Sequence, residues 1–162
     1  MELSSPSPAG PALPLPALPE TAAEAARCAP LHGPLGFPAG LPGFSEFRSF
    51  RLEPLGPAAG DFLLLACEEE QGPRFIVLPV REPAALFGDA LVAEAAALAG
   101  VEPDELCFLL LVTLVPGPGD REAFVNLRAP LLVDLRHRLA RQLVLADARL
   151  PLRHRLERRA AA

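Results

Sequence analysis

Lysine, tryptophan and tyrosine are absent from this chain of 162 residues, and methionine occurs only once, at its start. Without lysine there is no amine for Schiff-base chemistry and no cation for a phosphate-binding P-loop. Cysteine is scarce as well: Cys28, Cys67 and Cys107 are odd in number and widely spaced, with no C-x-x-C pair. That pattern speaks against a disulfide framework and for thiols, with Cys67 and Cys107 inside apolar strands. Long hydrophobic runs are missing too. Stretches such as Leu109–Val115 fall far short of the roughly 20 residues a membrane-spanning helix requires. No cation precedes Arg27, so the charged opening of a secretory signal is lacking. The expectation is a cytoplasmic protein with no membrane association.

Leucine, alanine, proline, arginine and glycine dominate what is there. Hydrophobic residues make up 51% of the chain, enough for a sizeable core, and the length suits one domain with tails. The net charge of −5 hides an asymmetry: residues 1–120 hold 5 Arg against 16 acids, residues 121–162 hold 10 Arg against 4. Acidity overall disfavours generic nucleic-acid binding, while leaving a local basic strip. That strip, from Arg136 to Arg159, lacks aromatics for base stacking, since the last Phe is Phe124.

Prolines at 6, 8, 11, 14, 16 and 19 suit polyproline II and neither a helix nor a ladder. Residues 1–30 therefore read as a Pro/Ala-rich tail whose PxxP pieces could alternatively serve a proline-recognising domain. Residues 31–156 read as a single domain and 157–162 as a C-terminal tail. Within the domain, short apolar runs separated by turn residues predict strands near 47–54, 61–67, 74–80, 106–115, 122–128, 131–135 and 141–146. Glu68–Pro73 and Pro116–Asp120 are chain reversals. With no βαβ rhythm, the fold class is all-β, a mainly antiparallel small barrel. One short helix is predicted over 90–99, with Asp89 as its N-cap and Gly100 just past its end. Leu91, Ala95 and Leu98 would share its buried face.

Catalytic constellations fail on company. His32, His137 and His154 are scattered, and His137 lies between Arg136 and Arg138, which would repel a cation. Glu68, Glu69 and Glu70 are consecutive in a loop and would point in different directions. No serine sits in a G-x-S-x-G elbow, and Gly117 and Gly119 alternate with prolines that lack the N–H groups a phosphate needs. The chain reads as no enzyme, with no catalytic residues, no metal ligands and no cofactor.

Two segments carry a more specific signal. Phe37–Phe44 reads FPAGLPGF: Gly40 and Gly43 can supply positive φ at tight turns, Pro38 and Pro42 pre-set φ, and Phe37 and Phe44 would drop into the core. Such a segment is a folding device that could also touch a partner through Gly40, Pro42, Gly43 and Phe44. The second segment is Val125–Val133, VNLRAPLLV. Asn126 interrupts the apolar strand, either bonding backbone at a bulge or presenting at a recognition surface, and Pro130 breaks the ladder at a corner.

Together these segments resemble the bacterial flagellar assembly factor FliW family, whose members carry an FPxGlpGF signature and an NLkaPivi strand. Arg141–Leu145 resembles the strand that follows, and Leu110–Val115 an earlier one. The resemblance runs from 37 to 156 and departs from the family before Phe37, where Arg27–Gly36 carries two prolines and no alternation. It implies a non-catalytic regulator that binds flagellin and the translational repressor CsrA, coupling flagellin translation to export. Asn126 and Pro130 join the FPAGLPGF residues as candidate contacts. Glu68, Glu69, Glu70, Glu82, Glu102, Asp104 and Glu105 are an expected acidic face toward a basic partner, or simply solvate their loops. A small-ligand-binding or RNA-binding barrel is the alternative.

Overall fold

Apolar residues at every second position, as in Phe50 and Leu52 or Leu63 and Leu65, take one face of each strand out of water. The computed structural model describes residues 32–56 and 59–157. Its elements are β1 (Gly33–Gly36), β2 (Ser49–Pro54), β3 (Leu63–Cys67), β4 (Arg74–Val80), α1 (Pro83–Phe87) and α2 (Asp89–Ala99). A 3-10 turn (Pro103–Glu105) leads into β5 (Leu106–Gly117), β6 (Asp120–Val125), β7 (Leu131–Asp134), β8 (Leu139–Gln142) and β9 (His154–Arg155). The tail expected over 1–30 lies outside the described residues.

The sheet runs β4-β3-β2-β1-β8-β7-β5-β6-β9, and β4 also pairs with β5, so its first seven members close a ring. Every pairing is antiparallel except the single parallel bridge Gly36–Leu139 between β1 and β8. Strand β5 is the long shared member. One edge pairs with β4 through Phe108–Val112; the other takes β7 at Leu106–Leu109 and β6 at Val112–Gly117. The mainly antiparallel barrel expected from the sequence is thus present as a ring with a β6–β9 branch.

Two cores lie back to back across this wall. Leu35, Phe37, Phe50, Leu65, Val77, Leu109 and Val133 fill the ring. Phe108, Leu110, Val125, Leu127 and Leu132 face outward and are covered by α2 and by residues 143–156. Because β5 and β7 are buried on both faces, their sequences run apolar without alternation.

The helical region departs from expectation in three ways. A helical turn, α1, precedes the predicted helix. Asp89 is the first residue of α2 instead of its cap, because Gly88 at φ 91° ends one helix and starts the next. Leu98 is 63% exposed, and Ala95 and Ala96 make the closest contact with the barrel. Small side chains let the helix backbone approach the wall, and that turns Leu98 outward. At the C-terminal end Gly100 is left-handed, as predicted, and its N–H reaches back to Ala96 and Ala97.

Strand boundaries shift for local reasons. The stretch before Phe37, expected to be irregular, contains β1, which pairs with β2 over Gly33–Gly36. The strand expected to reach 128 stops at Val125, where the Asn126 carboxamide intervenes. The strand expected over 141–146 begins and ends earlier, at 139–142. Beyond it the Leu143 N–H bonds Pro130 O at 2.8 Å and the Leu145 N–H bonds Arg128 O at 2.8 Å.

Candidate partner-binding rim

The FPAGLPGF segment makes two successive tight turns between β1 and β2. The Gly40 N–H bonds Phe37 O at 2.9 Å, and the Phe44 N–H bonds Leu41 O at 2.8 Å. Gly40 (φ 66°) is buried, and a Cβ there would sit 2.5 Å from the Ser45 backbone. Gly43 (φ 81°) faces open space. Both glycines are left-handed, but only one is also held by its neighbours.

Phe37 is fully buried and meets Phe50 edge-on at 5.0 Å. Phe44 departs from expectation: it is 38% exposed and rests on Phe75 in a T-shaped contact at 5.4 Å. Leu41 takes the second inward position instead, because the intervening turn reverses the chain between Leu41 and Phe44. Pro42, Gly43 and Phe44 therefore stand together at an exposed tip.

Phe75 is the second residue of β4, next to the β3–β4 hairpin that carries Glu68, Glu69 and Glu70. The hairpin is tied to the same corner: the Glu68 N–H bonds Ser49 O at 2.9 Å, and Glu68 Oε1 lies 3.5 Å from Arg51 Nε. Gly72 leaves no room for a side chain inside it, since a Cβ would run into the Cys67 side chain. The tip and the three glutamates thus share one rim, an exposed aromatic edge beside a carboxylate loop.

The remaining acidic residues lie elsewhere. Glu82 follows β4, and Glu102, Asp104 and Glu105 precede β5, whose Phe108 pairs with Val80 at the far end of β4. Six residue steps of strand, about 20 Å, separate that end from the hairpin. Glu105 has a local task as well, accepting the Glu102 N–H at 2.9 Å to cap the 3-10 turn.

Asn126 and Pro130 sit at a third place, the break between β6 and β7. Asn126 Oδ1 accepts the Arg128 N–H at 2.9 Å, an Asx turn that stops β6 and steps the chain to β7 on the same edge of β5. Pro130 is buried there and its carbonyl receives Leu143. Arg128, which the sequence did not single out, donates Nε to Leu150 O at 3.0 Å and Nη2 to Ala148 O at 3.2 Å. It fastens the C-terminal segment across the break.

The Asp134–Arg138 turn closes the ring. Asp134 is buried, and its Oδ1 accepts the N–H groups of Arg136 at 2.9 Å and His137 at 3.0 Å, while Oδ2 meets His137 Nδ1 at 2.6 Å. Burial opposes the Asp134 charge, but the His137 and Arg136 hydrogen bonds outweigh it and hold the carboxyl below its ordinary value. Arg138, left-handed at φ 57°, donates Nε to Pro34 O at 3.1 Å and Nη2 to His32 O at 2.9 Å. Its guanidinium covers the part of the β1 edge that β8 does not reach.

Arg155 Nη2 lies 2.6 Å from Glu122 Oε1, an ion pair that joins β9 to β6. Asp147 is lowered by its bonds from Arg149, and Asp61 is raised by burial, which outweighs the nearby Arg81 charge. Among the described residues no three His, Cys, Asp or Glu side chains gather as a metal cluster, and no helix is long and apolar enough to cross a membrane. Phe124 does join the basic C-terminal strip, but Arg153 covers its ring at 4.2 Å. A shallow outer groove of about 240 Å³ lies against β4, β5 and β6; its lining is mainly apolar, with Arg121 and Glu157 as its two charged members.

The FliW protein family model matches residues 24–156. A flagellar assembly factor FliW of Geotalea uraniireducens is 37% identical over 120 residues, covering 72% of this chain and 70% of that protein. Its counterpart from Carboxydothermus hydrogenoformans is 32% identical, covering 73% and 75%. A crystal structure of the flagellar assembly factor FliW superposes with a TM-score of 0.58 at 24% identity, over 80% of this chain and 89% of the other, which speaks for the fold alone. Family match and curated relatives together settle the assignment: this chain belongs to the FliW family of flagellar assembly factors.

Proposed function

We propose that this chain acts in the cytoplasm as a non-catalytic regulator that binds flagellin and antagonises the repressor CsrA. The observation that carries this reading is membership of a flagellar assembly factor family across residues 24–156. The rim supplies a surface for it. Phe44 offers apolar contact area, the tight turns hold it in place, and Glu68–Glu70 offer charge to a basic partner. The Gly40, Asn126 and Pro130 positions shape the frame, so their share in recognition is indirect.

Copurification of the tagged full-length protein from its own host tests the proposal. Flagellin and CsrA are the expected partners, with CsrA capture reduced when flagellin is in excess. Phe44→Asp should lower recovery of at least one partner while leaving the melting temperature within a few degrees. Recovery of neither partner at low salt would overturn the reading. Steeply salt-dependent binding of flagellin leader RNA by the purified protein, without CsrA, would favour a direct RNA binder instead.

A further inference from the structure

We propose that the outer groove seats this chain's own N-terminal segment Pro11–Pro19, PALPLPALP. The groove is lined by Ile76, Val112 and Leu114, with Leu55 and Phe62 beside them and Arg121 and Glu157 as the charged members. Leu55 and Leu114 are each 39% exposed, an apolar surface that nothing described covers. Cross-strand register places Ile76 and Val112 on one row, Glu53–Leu64–Ile76–Val112, running from β2 to β5, with Leu114 two residues further along β5.

The chain enters the fold on that row. β1 begins at Gly33, opposite Leu52, so the described chain starts at the end of β2 that leads to Leu55. Three strand spacings, about 15 Å, separate β1 from β4. Residues 20–31 supply twelve residues of chain, which can span about 40 Å when extended. Reach is therefore ample, and the tether gives the segment a high effective concentration.

Composition selects the occupant. Pro11–Pro19 is uncharged and apolar throughout, and its prolines at 11, 14, 16 and 19 suit polyproline II. In that three-residue helix Leu15 and Leu18 fall on one face. A polyproline II segment loses little entropy on docking in an apolar groove. The family match begins at residue 24, so the segment lies outside the matched region. Seated in the groove, it would act as a built-in competitor for any apolar partner of that face.

Ile76 is the sole isoleucine of the chain and lines the groove, so its δ1 methyl gives one NMR signal that reports occupancy. In the full-length protein this methyl should show cross-relaxation to proline ring protons. Leu15→Asp with Leu18→Asp should abolish those peaks and move the methyl signal, leaving the rest of the spectrum in place. An unchanged Ile76 signal in the double variant would overturn the proposal. A wild-type signal that depends on protein concentration would overturn it too, assigning the groove to a second copy. The purified protein alone suffices, so a negative result leaves the flagellin and CsrA reading untouched.

Discussion

A single methyl group separates the two glycines of the FPAGLPGF turns. Alanine at either position adopts a left-handed backbone at a cost of about 1–2 kcal/mol. At Gly40 the added Cβ also meets the Ser45 backbone at 2.5 Å, whereas at Gly43 it meets nothing. Urea denaturation should therefore show Gly40→Ala losing clearly more stability than Gly43→Ala, and equal losses would contradict the geometry. Phe37→Ala, which empties a fully buried site, should cost about 3–5 kcal/mol. Asp134 sets a pH dependence. Its folded pKa is lowered, so its contribution is complete above the unfolded value near 3.9 and is lost as pH falls through the folded one. Asp134→Asn should be less stable at pH 6 and should lose less stability than wild type between pH 4 and pH 2, read from urea midpoints. Of these residues Phe37 and the glycines were legible from the turn pattern. Asp134 was not, because its carboxyl is used by backbone amides that only the folded turn brings within reach.

Among the elements, β1 depends most on one side chain. It shares a single bridge with β8, and Arg138 supplies the carbonyl contacts to His32 and Pro34 that a longer strand would have made. Arg138→Met should raise hydrogen exchange across Gly33–Gly36 by an order of magnitude or more, with β7 and β5 little changed. Uniform loosening of the whole sheet would show that the contact is not local. Most strands were readable because one-sided burial writes alternation into them, and β5 and β7 were readable as continuous apolar runs. β1 was masked by Pro34 and two glycines, and β9 by its two-residue length. The α2 face was misjudged at Leu98, since spacing identifies a face without saying how close small residues let the backbone approach. At the rim, the sequence named both parts. Their meeting through Phe44 and Phe75 is a contact between segments about thirty residues apart, and no local pattern encodes it.

Taken whole, the molecule is a ring with a β6–β9 branch, and the two surfaces proposed here for binding, a rim and an outer groove, lie apart on it. Separate surfaces allow one partner to be held while another is excluded. In copurification, Glu68→Gln with Glu69→Gln and Glu70→Gln should weaken capture of the more basic partner, the more so at low salt. Unchanged capture at every ionic strength would assign those carboxylates to solvation alone. The closure at β1 and β8 also bears on how the chain reaches this shape. The groups that meet there, Arg138 and Pro34, are 104 residues apart in sequence, whereas β2–β3–β4 are joined by short hairpins. Local hairpins form in microseconds, but bringing the two ends of the domain together carries a large loop-closure entropy. Refolding from urea should accordingly take milliseconds to seconds, with the meander assembled early and the seam joined near the end. A nascent chain cannot close its ring until β8 has left the ribosome, so the interior stays open to solvent for most of synthesis.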